Sequence, residues 1–322
     1  MVVLPVALCI YTEKNMADFN PDEFKTNNGN NINPLLNQPT KSTVNPLAGH
    51  FRTAKIYFTL PSGGKYYGEN CLEMSETGEL PVLPMTAKDE LALKTPDALL
   101  SGQATVDLIQ SCIPNIKNAW SMPSLDIDAC LIAIRIATYG EHMSISATAP
   151  GTTTQVDYTI DLRNVLDRYT NAEFDNKFDA NGLTCIVRPL SYKEFSQVSM
   201  QTFEEQRIFS LVNNDQIEED EKLKQFNITF NKIRDITLGM VINSVVSIQV
   251  GDDVVTARDH ITEFLENTDK SFFKALSDHI EVQKKTFEVP PMKVKATEEQ
   301  IAEGSAENFE VPIIFDQSTF FA

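Results

Sequence analysis

Hydrophobic and polar positions divide the chain into short strands and capped helices. The β-branched and aromatic run FRTAKIYFTL from Phe51 predicts a strand over Lys55 to Leu60. It closes in a turn at Pro61-Ser62-Gly63-Gly64, where Pro presets φ and Gly accepts positive φ. Leu80-Pro81-Val82-Leu83 predicts a short return strand. Thr86-Ala87-Lys88-Asp89 has the form of a capping box and predicts a helix through Leu93. Thr95-Pro96-Asp97 restarts a helix, and Leu99, Val106, Ile109 and Ile113 fall on one apolar face that Pro114 ends. Asp126 and Asp128 open the next helix, where negative charge complements the dipole. Its inner face is Ile127, Cys130, Leu131, Ile134 and Ala137, and it stops at Tyr139-Gly140.

The second half is looser. The alternation in ISATAPGTTTQVDYTIDL predicts paired strands. Cys185 to Glu194 then repeats an earlier design, because Pro189-Leu190-Ser191-Tyr192-Lys193-Glu194 and Pro84-Met85-Thr86-Ala87-Lys88-Asp89 share a proline, a hydroxyl cap, a lysine and an acid. Two instances fit a duplicated unit and convergence on a good helix start equally well. Thr256-Ala257-Arg258-Asp259 reads as a third start after the strand-like Ser244 to Val250 and a hairpin signal, Val250-Gly251-Asp252-Asp253-Val254. Phe272, Phe273, Leu276 and Ile280 form a helical stripe after Asp269. The acidic run Glu218 to Glu221 reads as a solvated turn or helix face. Together these elements predict an α+β fold of short antiparallel strand units and capped helices, with two related halves as one outcome of the repeat. The domain reading is an arm over 1–50, an α+β domain over 51–165 and a second α+β domain with a C-terminal strand and aromatic tail over 166–322.

Composition adds the extremities. From Asn15 to about Gly49 the chain is rich in Asn, Pro, Thr and Gly and poor in aromatics, which predicts a disordered arm. MVVLPVALCI has no basic flank and is too short to span a bilayer, and the native start is expected at Met16. With 27 basic against 45 acidic residues the net charge is -18, which argues against a phosphate-backbone ligand. No nucleic-acid partner and no membrane segment are expected.

Candidate chemistry changes little. Gly63-Gly64-Lys65 lacks the Ser or Thr that a phosphate loop places after its lysine, and Gly68 and Glu69 break the chain again. The five cysteines are scattered, with Cys112 and Cys130 on apolar stripes, and the four histidines lack zinc spacing. No serine elbow is present. The expectation is therefore no catalytic, cofactor-binding or metal-binding residue. Tyr66, Tyr67, Phe320 and Phe321 are the candidate partner-binding residues.

FRTAKIYFTLPSGGKYY, then GELPVLPMTAKDELALKTPDALLSG, CIPNIKNAW and the string from Asp126 to Gly140 together resemble the baseplate hub protein family of T-even-type contractile-tailed bacteriophages. The likeness is strong over about Phe51 to Leu162 and then thins to Pro189-Leu190-Ser191 and the ending Val311 to Phe321. Members of that family often carry cysteine pairs of the zinc-knuckle kind after the Tyr-Gly helix end and before the terminal aromatics. Here those stretches are Ile145 to Gly151 and Lys295 to Gln300, which hold no cysteine. The resemblance implies a non-enzymatic hub subunit in the tail baseplate of the virion, present in the cytoplasm of the infected bacterium during assembly. It implies other hub proteins or the tape-measure protein as partners. An assembly chaperone absent from the finished particle is the rival reading, and a tail-tip hydrolase the remote one.

Overall fold

The structure is a computed structural model that describes residues 45, 47–94, 102–170, 172–212, 219–289, 291–313 and 320–321; side chains of residues 48, 170, 206–212 and 219–226 are excluded. The arm expected over residues 1–50 lies almost wholly outside these residues, as do the helix restart at Thr95 and Leu99. Thr53–Ala322 forms one compact unit. Its architecture is α+β, with helices set among short antiparallel sheets.

Strand β1 (Ile56–Thr59) pairs antiparallel with β2 (Glu79–Val82), Tyr57 lying opposite Pro81. Helix α1 (Ala87–Leu93) follows, capped reciprocally by Thr86 and Asp89 as the sequence predicts. Helix α2 (Gln103–Cys112) buries Val106 and Ile109, with Ile113 at its C-cap directly before Pro114. Helix α3 (Ile127–Tyr139) is buried on nearly every side, not on one stripe: Ala129, Ile132, Ala133 and Ile136 are as enclosed as the predicted Cys130, Leu131 and Ile134. The reason is its place among β1, β2, α2 and α4 (Leu162–Thr170). It ends at Gly140, whose φ of 94° is open to glycine at no steric cost.

Three apolar clusters organise the unit. The first surrounds α3. The second lies under the four-stranded sheet β5 (Lys177–Ala180), β6 (Leu183–Val187), β7 (Val245–Val250) and β8 (Asp253–Val255). There α7 (Arg258–Asn267) and α8 (Lys270–Thr286) pack Ile261, Leu265, Phe272 and Leu276 against Cys185, Val187, Val245 and Ile248. Between β6 and β7 the chain runs out and back through two long helices, α5 (Tyr192–Val212) and α6 (Glu219–Ser244). The third cluster joins the hairpin β3 (His142–Thr148) and β4 (Gln155–Asp161) to the pair β9 (Met292–Lys295) and β10 (Asn308–Val311). Helix α9 (Glu298–Ala302) lies between β9 and β10 in the chain.

The repeated string builds the same local unit twice. After β2 it gives the Thr86 and Asp89 box, and after β6 the Ser191 and Glu194 box, in which each residue's side chain takes the other's backbone N–H. The surroundings differ, since β2 belongs to a two-stranded sheet and β6 to the interior of a four-stranded one. The third predicted start does not cap in this way: α7 has Ala257 at its N-cap and no side-chain cap bond. An unpredicted box of the same kind caps α9, from Thr297 and Gln300. The run at Glu219 opens α6, with its side chains outside the described residues.

Candidate functional site

The glycine turn after β1 is held from inside the protein. Asp126, fully buried at the start of α3, accepts from Ser62 N at 2.8 Å, Ser62 Oγ at 2.6 Å and Tyr67 Oη at 3.0 Å. Its carboxylate therefore does not serve the helix end, where it makes no cap bond. Burial pushes the Asp126 carboxyl up to about 7, against the lowering by the Ser62 and Tyr67 hydrogen bonds. Glycine is required at two turn positions, with φ of 61° at Gly63 and 80° at Gly64. A Cβ on Gly64 would also stand 2.9 Å from the Met74 sulfur. Asp128, two residues on, is only partly buried; burial and the neighbouring Glu288 raise it to about 6, against Lys284.

The four candidate contact residues all lie against the chain's own body. Tyr67 donates to Asp126, and burial raises its phenol well above the ordinary value. Tyr66, at φ 68°, sets its ring edge-on to Phe174 at 5.6 Å between centroids. Phe320 and Phe321 are buried in the α3 cluster and meet edge to face at 5.0 Å. Tyr139 Oη donates to the Phe321 carbonyl at 3.0 Å, and the Arg135 guanidinium lies 4.5 Å above the Tyr139 ring. The expected C-terminal strand is β10, Asn308–Val311; residues 314–319 lie outside the described part.

The two stretches that carry cysteine pairs in the resembling family meet in space here. Ala149 from the first packs with Val294, Phe309 and Val311, and Ile145, Ala147 and Ala296 border them. Polar contacts lock the junction: Gln300 Nε2 donates to the Thr154 carbonyl at 3.1 Å, Tyr158 Oη donates to Gln300 Oε1 at 3.1 Å, and Thr153 N donates to Glu303 Oε2 at 2.8 Å. A small apolar core thus occupies this junction between two hairpins. Cys71, Cys112, Cys130 and Cys185 are buried, and none of the four is in a disulfide. Burial, with Asp126 and Asp128 nearby, raises the Cys130 thiol far above its ordinary value, and burial holds Cys185 at about 11, so neither supplies a thiolate at neutral pH.

A bidentate pair fixes the base of the long hairpin. Arg188 donates to Glu194 through Nη1 at 2.9 Å and Nη2 at 2.7 Å. Burial alone would raise Glu194, yet the hydrogen bonds from Arg188 and Ser191 hold it at about 2. Backbone bonds from Ser124 N to Leu190 O and from Tyr192 N to Met122 O, each 2.8 Å, stitch this helix start to the segment before α3. Trp120 stacks on Tyr192 at 5.4 Å.

Beyond that base, the described part of the hairpin carries exposed apolar side chains. Helices α5 and α6 pack on each other, with Lys232 Nζ donating to the buried Glu205 at 2.8 Å. Met200, Phe203, Ile228, Phe230 and Ile233 are exposed, Phe230 by 60%. Beside Phe230 lies an apolar groove of about 420 Å³, walled by Thr237 and Leu238 of α6 and by Leu265 and Phe273 of the helices beyond. The sequence reading missed this uncovered apolar groove. Its signal was Phe230, Ile233, Thr237 and Leu238 at helical spacing, continuous with the buried Val241 and Ile242.

Among the described residues, no group of three or more His, Cys, Asp or Glu is placed to hold a metal ion, and no helix is long and apolar enough to cross a membrane. No curated protein and no solved structure matches the chain. The sequence profile of the T4 bacteriophage base plate protein family matches residues 53–310, from the start of the compact unit through most of β10. The chain belongs to the T4 bacteriophage base plate protein family.

Proposed function

We propose that this baseplate protein is a non-enzymatic subunit of the baseplate hub, taking part in baseplate and tail assembly. The observation that carries the reading is the division of labour between interior and surface. The carboxylate with the most altered acidity, Asp126, is spent on holding a turn, whereas the uncovered groups are apolar side chains along a helical hairpin. Uncovered apolar patches of this kind mark contact surfaces for other proteins. The partners are other hub proteins or the tape-measure protein, reached in the cytoplasm of the infected bacterium and retained in the tail baseplate. Nucleic acid is not a partner of a chain this acidic.

The same hairpin also suits a transient chaperone that covers a hub or tape-measure component and then leaves. Mass spectrometry of purified virions separates the two: a hub subunit gives its peptides at stoichiometric yield in washed particles, and a chaperone gives them only in assembly intermediates. Zymography on peptidoglycan tests the absence of hydrolase activity, with no clearing expected.

A further inference from the structure

We propose that a small cavity between α4 and the end of α8 binds one ordered water, which ties the Tyr169 hydroxyl to the Glu288 carboxylate and clasps the last helix of the second apolar cluster to the first cluster. This goes beyond the hub reading and does not depend on it.

The place of the cavity comes first. Helix α4 belongs to the cluster around α3, to which it contributes Leu162, Leu166 and Tyr169. Helix α8 packs Phe272 and Leu276 into the cluster under the four-stranded sheet, and the chain then crosses to the first cluster, where Phe287 is buried. At that crossing Val165, Arg168 and Tyr169 of α4 meet Thr286 and Glu288 around a cavity of about 10 Å³. Such a cavity admits one water and no larger ligand.

Hydrogen bonding supplies the second argument. Tyr169 is 4% exposed, and its hydroxyl is buried with no partner in the protein. Burial first, then Asp128 and Glu288, push the phenol far above its ordinary value against the pull of Arg168, so it keeps its proton and stands as a donor. A buried donor left without an acceptor is costly. The Thr286 hydroxyl gives its own proton to the Val282 carbonyl at 3.0 Å and keeps its lone pairs. A water in the cavity accepts from Tyr169 and donates to Glu288 and Thr286, which makes the three bonds usual for a buried water.

Charge decides the occupant. Arg168 lines the cavity and Lys284 Nζ lies 3.7 Å from Glu288 Oε1, and both repel a cation. Glu288 itself repels an anion. Water is neutral and can both accept and donate, so it suits both walls.

Thermal melting of the full chain reads the proposal as a sign. If nothing bridges the Tyr169 hydroxyl, removing it relieves an unsatisfied donor, and Tyr169→Phe melts at the parental temperature or above it. With the water in place, Tyr169→Phe should melt about 2 to 4 °C lower, the shift that one hydrogen bond's contribution gives a unit of this size. Glu288→Ala should also melt lower, and adding Tyr169→Phe to it should cost less than half of what it costs in the parent. Parental or raised melting of Tyr169→Phe overturns the proposal, as does strict additivity of the pair. A crystal structure of the full chain should place a water within hydrogen-bond distance of Tyr169 Oη; a direct bond from Tyr169 to Glu288, or a dry cavity, overturns it equally.

Discussion

The surroundings of α3 and the outer half of the α5–α6 hairpin use helices in opposite ways. Helix α3 is enclosed on nearly all sides, and the buried acid at its start has three hydrogen-bond donors. The described part of the hairpin leaves Met200, Phe203, Ile228, Phe230 and Ile233 in water and holds Glu205 with one buried oxygen unpartnered. In apolar cover one region is complete within the chain, although Arg135 and Tyr169 there keep buried atoms without a protein partner; the described part of the other leaves apolar side chains in water. For a chain of the base plate family, that contrast is what supports the hairpin as the proposed assembly surface.

The largest effects are expected in the complete region. Phe320→Ala removes a fully buried ring from the α3 cluster and should cost about 3 to 5 kcal/mol, read by denaturant unfolding. Ile134→Ala, in the middle of α3, should cost about 2 to 5 kcal/mol by the same measurement. Parental stability of either variant would mean that the enclosure of α3 is not what holds the fold.

Asp126→Ala comes next. It strips the acceptor from Ser62 N–H and from two hydroxyls, and each group left dry costs about 1 to 3 kcal/mol, offset by any water that enters. A pH series sharpens the point. Asp126 holds its proton up to about 7 when folded and only to its ordinary 3.8 when unfolded. The folded state therefore binds more protons across that window, and this group's contribution to stability falls as pH rises from about 4 to 7. Ser62, Tyr67 and Cys130 are the groups that face it. The advantage of the parent over Asp126→Asn should shrink between pH 5 and pH 8, and an advantage independent of pH would show that the carboxyl does not titrate there. Glu194 has the opposite sign: held at about 2 by Arg188 and Ser191, it contributes stability above its ordinary 4.5 that is lost as pH falls through 2.

The smallest effect on stability is expected in the hairpin. Phe203→Ser, at an exposed site on α5, should change stability by less than about 0.5 kcal/mol while reducing incorporation into tails, measured by yield of infectious particles in complementation. A large loss of stability would place Phe203 in a core and erase the contrast.

Much of the fold was legible in the sequence where its signals are local. Thr86 and Asp89, Ser191 and Glu194, the Gly251 hairpin and the paired strands of β3 and β4 are each specified within a few residues. What holds the glycine turn was not legible, since Asp126 lies 64 residues from Ser62 and an acid at a helix start has an ordinary role that hides a buried one. The aromatic pair Phe320 and Phe321 showed that something must be buried there but not that α3 would receive it. The hairpin was least legible: with apolar residues on several faces of α5 and α6, no single stripe stands out until the neighbouring helices show which face is covered.

Hydrogen–deuterium exchange, compared between the free chain and the same chain in purified tails, tests the contrast most directly. The amides of 228–238 should exchange markedly more slowly in tails, while those of β1, β2 and α3 stay as protected as in the free chain. Equal exchange over 228–238 in both states, or new protection confined to the α3 region, would contradict the assignment of the hairpin as the assembly surface.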